Sequence, residues 1–360
     1  MAKFTDIFED VTKQGTKIPT NLYLETGMYP IIDQGQSQVA GYTNETEGLF
    51  TDIPAIIFGD HTRIIKYVDT PCFLGADGVK LLKAKDPNAN YKYLYYALCN
   101  ADIPNTGYNR HFKWLKEIEI PEHSIEEQNS IVAQLQKIDT LSSLRKQQLS
   151  KLDELVKSRF IEMFGGVHDS KIYPYKAVKE LTDVVSGGTP SRDISEYWEE
   201  GTIPWVKTTE LQNNIVTEVE EYITEQGLSN SSAKIVPSGT VLIAMYGQGK
   251  TRGMTAYLGI EACTNQACAC ILPSAQINQT FLWQFFILSY DNLRDMAKGG
   301  NQPNLNGNMI KNYPILCPPR ELQEQFATFV EQTDKLKFEI QKSLEKLETL
   351  KKALMQKYFG

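Results

Sequence analysis

Two stretches of the chain carry the apolar pattern of a long, uninterrupted α-helix. Most apolar residues in each stretch recur in steps of three and four, which places them on one side of a helix and predicts the apolar seam of a coiled coil. Neither stretch contains a proline or an internal glycine before its closing Phe-Gly. The predicted seam consists of Ile138, Leu141, Leu149, Leu152 and Leu155 in the first stretch, where Arg145 interrupts it, and of Leu336, Ile340, Leu344, Leu347, Leu350 and Leu354 in the second.

The two helical stretches are copies of one another. Residues 118–128 correspond to residues 315–325, and after a two-residue shift residues 139–165 correspond to residues 334–360. Ser124 is positioned to cap the first helix, because a glutamate three residues later can reach back to the cap. At about 1.5 Å per residue each helix would be roughly 60 Å long, which is longer than a small domain requires. We therefore interpret the helices as spacers.

A globular block precedes each helix, and the two blocks are distant copies. Residues 10–16 resemble residues 183–189, and Pro30 recurs at nearly the same spacing as Pro204. The chain is therefore predicted to consist of two tandem halves, each a globular block followed by a helix.

The blocks contain short, mixed signals for strands and helices. Segments rich in β-branched residues, such as 55–58 and 240–244, predict strands, whereas 91–99 and 279–290 have the pattern of amphipathic helices. The predicted fold class is α+β, with two globular domains separated by two long helices that pack as an antiparallel coiled coil in a pseudo-twofold arrangement. The predicted boundaries are 1–122 and 166–316 for the globular domains and 123–165 and 317–360 for the helices.

The composition fits a globular protein of the cytoplasm. Hydrophobic residues make up 41% and charged residues 22% of the chain, which is ordinary for a soluble protein. The longest apolar run, near 281–288, is too short to cross a bilayer, and no apolar segment follows a basic leader. The six cysteines lie mostly in apolar surroundings, which suits reduced and buried thiols better than disulfides.

The net charge of −7 weighs against a protein that coats DNA without sequence preference. It does not exclude a DNA ligand, because phosphate affinity depends on where Lys and Arg side chains lie and on the charges that partner proteins add.

Residues 244–251 come within one residue of a phosphate-binding loop. That motif requires glycine at its first position and a helix directly after the threonine, but Ala244 takes the first position and the residues after Thr251 have a strand-like pattern. We therefore expect a hairpin or loop that presents Lys250 and Arg252 to an anion. A nucleotide-dependent enzyme built on Lys250 remains an alternative, which loss of ATP binding by a Lys250→Ala variant would support.

Other catalytic or metal-binding patterns are weak. Cys263, Cys268 and Cys270 lack a paired C-x-x-C and have no neighbouring histidine, and the alternation of 268 and 270 with alanine predicts a shared, buried strand face. The Pro-Pro pair at 318–319 lacks the surroundings expected of an enzyme that methylates base amino groups, so we expect methylation to belong to another chain.

A series of motifs resembles the Type I restriction-modification specificity subunits. The second block has Gly-Gly-Thr-Pro at 187–190 and Pro-Trp-Val at 204–206, followed by residues 247–251, the Asn-rich segment 301–306 and the helix entry at 318–325. Their order, with the duplicated helix, resembles the whole family pattern of recognition domain, spacer, recognition domain and spacer. The first block departs from this pattern, with Gln-Gly-Thr-Lys at 14–17, so its role is assigned by position.

DNA reading needs particular side chains rather than catalytic geometry. Arg and Lys contact guanine edges and phosphates, Asn and Gln contact adenine edges, and Ser or Thr serves either. Five polar clusters in the predicted loops, together with the segment that contains the Gly-Gly-Thr-Pro motif, offer these groups. The candidates are His61, Thr62, Arg63, Tyr108, Asn109, Arg110, Lys113, Thr189, Arg192, Lys207, Thr208, Thr209, Tyr246, Gln248, Lys250, Thr251, Arg252, Asn301, Gln302 and Asn304.

The resemblance implies a noncatalytic subunit that reads a bipartite, asymmetric site on double-stranded DNA. It also implies two modification subunits, which bind S-adenosylmethionine and methylate adenine, and restriction subunits, which use ATP and Mg²⁺. None of these cofactors is expected to bind this chain, and no membrane is expected as a partner. Apolar residues outside a narrow seam, including Ile131, Leu135 and Phe326, are candidate docking positions for modification subunits. A coiled-coil scaffold that binds only proteins remains the alternative.

Overall fold

The computed structural model describes residues 1–75, 78–107, 109–247, 249–297 and 304–360. The chain divides into two units. Unit 1 is Met1–Gln147 with Gln341–Gly360, and unit 2 is Gln148–Ile340. No helix in the described ranges is both long enough and apolar enough to cross a membrane.

Unit 1 combines two small sheets with short helices, as the predicted α+β class requires. A four-stranded antiparallel sheet has the order β2-β8-β5-β6, a three-stranded sheet has the order β4-β3-β7, and β1 pairs with β9. The elements are β1 (Ala2–Lys3), α1 (Phe4–Ile7), β2 (Phe8–Asp10), β3 (Tyr29–Ile32), β4 (Gly41–Thr43), β5 (Ala55–Gly59), β6 (Ile65–Val68), β7 (Phe73–Leu74), β8 (Val79–Ala84), α2 (Tyr91–Asn100), α3 (Phe112–Leu115), β9 (Glu119–Ile120) and the first part of the long helix α4 (Ile125–Phe164).

Unit 2 repeats this plan and adds one strand. Its larger sheet has the order β11-β18-β15-β16-β13, its three-stranded sheet has the order β14-β12-β17, and β10 pairs with β19. The elements are β10 (Tyr175–Ala177), α5 (Val178–Leu181), β11 (Val184–Ser186), β12 (Ile203–Val206), β13 (Asn214–Val216), β14 (Glu221–Ile223), α6 (Glu225–Ser229), β15 (Val241–Ala244), β16 (Thr255–Leu258), β17 (Cys263–Thr264), β18 (Cys268–Ile271), α7 (Gln279–Leu288), α8 (Tyr290–Met296), α9 (Gly307–Lys311), β19 (Pro314–Leu316) and the first part of the long helix α10 (Arg320–Phe359).

The central strands of both large sheets are buried because they consist of apolar residues. All five residues of β5 and all four residues of β15 are buried. Cys268 and Cys270 of β18 contribute to the same hydrophobic core, so the prediction of a shared buried face is confirmed.

The two long helices pack antiparallel. In unit 1 the Nζ atom of Lys351 lies 2.5 Å from a carboxylate oxygen of Asp139, and in unit 2 the Nζ atom of Lys337 lies 2.6 Å from Asp153. Asp139 precedes Asp153 on α4. On α10 the order is reversed, because Lys351, the partner of Asp139, follows Lys337, the partner of Asp153. The helices therefore run in opposite directions, as predicted.

The first helix begins with the predicted cap. The backbone N–H of Glu127 donates to Ser124 Oγ at 3.3 Å, and the backbone N–H of Ser124 donates to Glu127 Oε2 at 2.9 Å. This backbone hydrogen bond to the carboxylate lowers the pKa of Glu127. The reciprocal pair explains why the helix starts here and not at an earlier residue.

The packed face of the helices differs from the predicted seam at four leucines. Leu141 and Leu155 of α4 are 37% and 46% exposed, and Leu336 and Leu350 of α10 are 57% and 48% exposed. The covered side of each helix instead includes polar residues, namely Ser142, Arg145, Lys337 and Lys351. The aliphatic stems of the charged residues can lie along the partner helix while their ends form ion pairs.

The residues that we named as docking candidates are buried. Ile131 and Leu135 pack into the core of unit 1, and Phe326 packs into the core of unit 2 against Phe160. The prediction that they are docking positions for modification subunits is wrong, because the first turns of each helix belong to the globular core.

Candidate nucleic-acid interface

Four loops of unit 1 meet at one end of its strands. They follow β3, β5, β7 and α2, in that order along the chain. The backbone N–H of Asp60 donates to Gly78 O at 2.6 Å, and that of His61 donates to Gln34 Oε1 at 3.2 Å. The Nδ1 atom of His61 lies 3.2 Å from Asn109 O. These contacts join the loop after β5 to each of the other three loops.

A buried pair of side chains fastens two of these loops to each other. Asp60 Oδ1 accepts a hydrogen bond from the backbone N–H of Phe112 at 2.7 Å, and Asp60 O accepts one from the backbone N–H of His111 at 2.8 Å. The ring atom Nδ1 of His111 lies 2.9 Å from the same carbonyl oxygen. Asp60 is 4% exposed and His111 is fully buried. These hydrogen bonds therefore attach the loop that carries Asn109 and Arg110 to the buried Asp60 of the loop after β5.

We expect Asp60→Ala to destabilise unit 1 and to loosen residues 101–111. The substitution leaves the buried N–H of Phe112 without its acceptor, which costs about 1–3 kcal/mol. Thermal unfolding should show a lower Tm, and amide hydrogen exchange should quicken in residues 101–111. Asp102 is exposed on the same loop, so an Asp102→Ala variant serves as the control. Equal exchange in both variants would show that Asp60 does not anchor the loop.

Unit 2 brings the corresponding loops together in the same way. The backbone N–H of Asn265 donates to Val206 O at 3.1 Å, which joins the loops after β12 and β17. The N–H of Met245 donates to Ala267 O at 2.8 Å, and the N–H of Leu305 donates to Met245 O at 3.0 Å. The loop after β15 therefore lies between the loop after β17 and the segment that contains Leu305. The loop after β5 has the same central place among the loops of unit 1.

Residues 245–247 and 249–254 lie in the connection between the antiparallel strands β15 and β16. The hydroxyl of Tyr290 donates to Lys250 O at 2.8 Å, and Arg294 Nη1 donates to Arg252 O at 3.0 Å, so the turn rests on α8. A strand follows Thr251, whereas a phosphate-binding loop requires a helix there. The predicted hairpin is confirmed.

Two of the predicted DNA-binding cations are paired with carboxylates. Arg192 contacts Glu221 at 2.5 Å, and its guanidinium lies 3.6 Å from the ring centre of Trp198. Lys207 Nζ lies 2.7 Å from Glu220 and 2.9 Å from Glu221. The hydrogen bonds that Lys207 donates to Glu220 and Glu221 raise the pKa of Lys207. Burial alone would raise the pKa of Glu221, but hydrogen bonds from Lys207 and Arg192 bring it below its usual value.

The Gly-Gly-Thr-Pro motif lies against the backbone of its own unit. A Cβ atom on Gly188 would come within 2.4 Å of the backbone at Ser232 and Ala233, and one on Gly187 would come within 2.1 Å of Thr264 O. Gly188 O also accepts a hydrogen bond from Trp205 Nε1 at 2.9 Å. These glycines are therefore required by close backbone packing, and Thr189 next to them hydrogen-bonds to Gln266.

The remaining candidates differ in exposure. Arg63 has a positive φ of 61° and donates to Ile103 O at 3.0 Å, so its side chain spans two loops. Thr62, Asn109, Arg110, Lys113, Thr209, Tyr246 and Lys250 are exposed, whereas His61, Arg63, Thr189, Thr208, Thr251, Arg252 and Asn304 are half-buried. Tyr108, Gln248, Asn301 and Gln302 lie outside the described residues.

The loop after β3 was missing from the predicted site. Strand β3 pairs in parallel with β7 as β12 does with β17, so Asp33 and Gln34 occupy the places of Lys207 and Thr208. Lys66 holds this loop, because its Nζ atom donates to Ser37 O at 2.5 Å and lies 3.4 Å from Asp33. Burial lowers the pKa of Lys66, although Asp33 acts in the opposite direction. The recurrence of Pro30 as Pro204 was the sequence signal that pointed to this equivalence.

Comparison with known proteins identifies a family and a fold. A family model described as the Type I restriction modification DNA specificity domain matches residues 1–154 and 173–352. A Type I restriction enzyme specificity subunit of Escherichia coli is 26% identical over 338 residues, which cover 87% of this chain and 81% of that protein. A Type I restriction enzyme specificity subunit of Methanocaldococcus jannaschii is 30% identical over 216 residues, which cover 57% of this chain and 48% of that protein.

Two solved structures have the same fold. The S subunit of a Type I restriction-modification system from M. genitalium matches with a TM-score of 0.61 at 18% identity, covering 99% of this chain and 95% of that one. A structure that concerns complex assembly and conformational transition of the type I R-M system matches with a TM-score of 0.54 at 18% identity, again over 99% and 95% of the two chains. The likeness over nearly the whole chain supports the predicted α+β architecture with two long helices.

Proposed function

The chain belongs to the Type I restriction modification DNA specificity family, and we propose on that basis that each of its two loop clusters reads one half of a bipartite, asymmetric DNA site. The chain is a noncatalytic specificity subunit of a Type I restriction-modification system. The resemblance seen in the sequence is thereby confirmed. The protein-only scaffold gains no support from the family.

One observation carries the proposal, namely that the same loops meet at the same strand ends in both units. The contact between Asp60 and Gly78 in unit 1 has its counterpart between Met245 and Ala267 in unit 2. Protein loops held by a rigid sheet are the usual carriers of binding residues. Two such clusters in one chain provide two separate readers.

The two clusters differ in chemistry, which favours an asymmetric site. Asp33 and Gln34 of unit 1 stand where unit 2 has Lys207 and Thr208. The loop after β5 is short, whereas the hairpin after β15 is longer and exposes Tyr246 and Lys250. Amide side chains suit adenine edges and basic side chains suit guanine edges and phosphates, so the half-sites are expected to have different sequences.

The decisive experiment is to map methylated adenines in the genome of a host that expresses this subunit with its partner subunits. We expect one bipartite motif with two different halves. A mobility-shift assay with the partner subunits present should show retention of DNA that contains this motif and not of scrambled DNA. If DNA is retained regardless of its sequence, or is not retained at all, the proposed DNA reading is wrong and the protein-only scaffold is favoured.

We further propose that the complex contains two modification subunits and the restriction subunits of the system. The chain's association with DNA and with other restriction-modification subunits follows from its family. S-adenosylmethionine, ATP and Mg²⁺ would then be bound by those partners.

The described cysteines are all free thiols, which fits the proposed location in the cytoplasm.

The exposed leucines of the long helices offer a docking surface for the modification subunits. Leu141 and Leu155 of α4 correspond in the internal repeat to Leu336 and Leu350 of α10. All four are exposed, although leucine side chains are usually covered in a folded chain. Because the exposed pair is present once on each helix, it supports the proposal of two copies of one partner.

We expect the charge-neutral double substitution Leu336→Gln with Leu350→Gln to weaken the binding of one modification subunit. The bound modification subunit would cover both leucines, so their removal should lower the affinity for that subunit by about a hundredfold or more. Native mass spectrometry should then show a complex with one modification subunit instead of two. The matched pair Leu141→Gln with Leu155→Gln should give the same loss on the other helix. An intact two-subunit complex in both variants would remove this docking surface from the proposal.

A further inference from the structure

The guanidinium of Arg192 in unit 2 rests on two aromatic rings. Its Cζ atom lies 3.6 Å from the ring centre of Trp198 and 4.9 Å from that of Trp205. Trp198 Nε1 donates to Ser191 O at 2.9 Å. Trp205 Nε1 donates to Gly188 O at 2.9 Å. Both rings are thus fastened to the segment that carries Arg192, so they restrict the orientation of its guanidinium.

Glu221 connects Arg192 to the loop after β12. Arg192 Nη1 donates to Glu221 Oε2 at 2.5 Å, and Lys207 Nζ donates to Glu221 Oε1 at 2.9 Å. Lys207 Nζ also donates to Glu220 Oε2 at 2.7 Å. The side chain of Arg192 is 50% exposed, whereas that of Lys207 is 24% exposed. Arg192 is therefore the more accessible of the two cations, and Glu221 holds it beside a loop of the unit 2 cluster.

Carboxylates outnumber cations in this network. Glu210 belongs to it as well, because its Oε2 accepts from the backbone N–H of Lys207 at 2.6 Å and its Oε1 accepts from that of Glu220 at 3.0 Å. With Glu221 the network has a net negative charge, which disfavours contact with a DNA phosphate. The edge of a base pair is uncharged, and guanine presents the acceptors O6 and N7 there.

The guanidinium has the donors that such an edge requires. An arginine side chain carries five N–H donors, and the hydrogen bond to Glu221 engages Nη1. Stacking on Trp198 and the ion pair with Glu221 also lower the side-chain entropy that a contact would otherwise cost. Arg192 is therefore pre-organised for a bidentate contact, which a lysine at this position could not make.

We propose that Arg192 reads the edge of a guanine in the second half-site, and that Glu221 is the positioning residue that sets this specificity. Glu221 orients the guanidinium and, together with Glu210 and Glu220, keeps it from binding the phosphate backbone. The inference rests on the proposed function, since it assigns a base contact to the reader formed by unit 2. It requires a guanine at one recognised position of that half-site.

Two substitutions at Arg192 separate a base contact from a phosphate contact. Arg192→Lys keeps the charge without the planar set of donors, and Arg192→Gln removes the charge. In the complex with modification subunits, both should lower discrimination for guanine at one position of the second half-site by about tenfold or more. Discrimination in the first half-site should stay as in the parent. The probes are DNA duplexes that carry the parent's methylation motif with each base pair replaced in turn.

The salt dependence of DNA binding gives an independent readout. A base contact releases no counterion, so Arg192→Gln should leave the slope of log affinity against log salt unchanged. Glu221→Gln should strengthen binding to scrambled DNA and steepen that slope by about one unit, because the released cations can contact phosphate. Its preference for the parent motif should fall by about tenfold. A purely structural role would lower Tm and would not strengthen binding to scrambled DNA.

Glu261→Gln is the matched control for Glu221→Gln. Glu261 is exposed on the segment that leads into β17, whereas the loops of the cluster follow β12 and β17. The substitution makes the same change in net charge, and it should leave the preference for the parent motif as it was. An equal loss of preference in both variants would show that net charge alone, and not Glu221, is responsible.

The remaining outcomes also decide the question. If Arg192→Lys keeps guanine discrimination while Arg192→Gln weakens every duplex alike with a shallower salt slope, Arg192 contacts a phosphate. If both variants discriminate as the parent does, or lose the whole second half-site together with a lower Tm, the network supports only the fold. A second half-site without a G·C pair also contradicts the proposal. In each case sequence-specific methylation by the parent leaves the proposed function standing, whereas a parent complex without sequence preference removes both.

Discussion

Exchanging residues 166–316 for those of another family member is expected to change one half of the methylated DNA site and to leave the other half as it was. The exchanged segment contains the loops after β12, β15, β17 and α8, which meet within unit 2. It also keeps β10 and β19 together, and these strands pair from Tyr175 with Leu316 to Ala177 with Pro314. The transferred block should therefore fold with its own closing strands.

Genome-wide mapping of methylated adenines checks this result. The old second half-site should fall to background, because several mismatched base pairs at about 1–3 kcal/mol each lower affinity by more than about a hundredfold. The reciprocal exchange of residues 1–122 is the matched control and should change only the first half-site. A change of both halves after either exchange would rule out two independent readers.

Removing one heptad from each long helix, residues 142–148 and 342–348, is expected to shift the permitted gap between the half-sites. The deletion shortens each helix by about 10 Å, which corresponds to about three base pairs of DNA. The deleted residues lie between the ion pair of Asp139 with Lys351 and that of Asp153 with Lys337, so both pairs keep their antiparallel register. A whole heptad also preserves the packed faces of the helices.

Methylation of the parent site should be lost, while a library of sites with different gaps should show modification at a shorter one. In the control, the same two heptads are replaced by alanine-rich heptads of equal length that retain the residues of the packed face. This variant should keep the parent gap, because length and not sequence is expected to set the distance. If the deletion variant assembles and still modifies the parent gap, the helices are not the spacer.

The sequence predicted the helices well because their signals are local. The cap at Ser124 with Glu127, the absence of proline and the closing Phe-Gly depend only on neighbouring residues. The resulting helices span Ile125–Phe164 and Arg320–Phe359. The internal repeat then required two blocks of one fold, and the strand orders of the two units agree with this.

The face on which the helices pack could not be read from the same pattern. A search for leucines in steps of three and four selects Leu141 and Leu336, yet the covered positions next to them are Ser142 and Lys337. Lys337 is covered because Asp153, far away in the sequence, supplies its counter-charge. Such a pair depends on tertiary contact, so periodicity alone assigns the lysine to the surface.

Only part of the candidate site was predicted, because some of its contacts also depend on the tertiary structure. Polar clusters such as 60–63 and 207–209 fall in the loops that meet in the structure, because glycine and asparagine mark loops locally. Gln34 was missed because its loop carries no basic residue and becomes part of the cluster only through Thr62 and His61. The pairing of Arg192 with Glu221 could not be predicted from the sequence either, because only the fold brings these two residues together.

The buried anchor formed by Asp60 and His111 bears on how new DNA specificities evolve. The anchor fixes the loop from inside the protein, while Asn109 and Arg110 at its tip are exposed and contribute little to the core. Substitutions at the tip can therefore accumulate with small effects on stability, since surface positions tolerate change. A lineage that must recognise new sequences can vary these tips under selection while the scaffold that carries them is conserved.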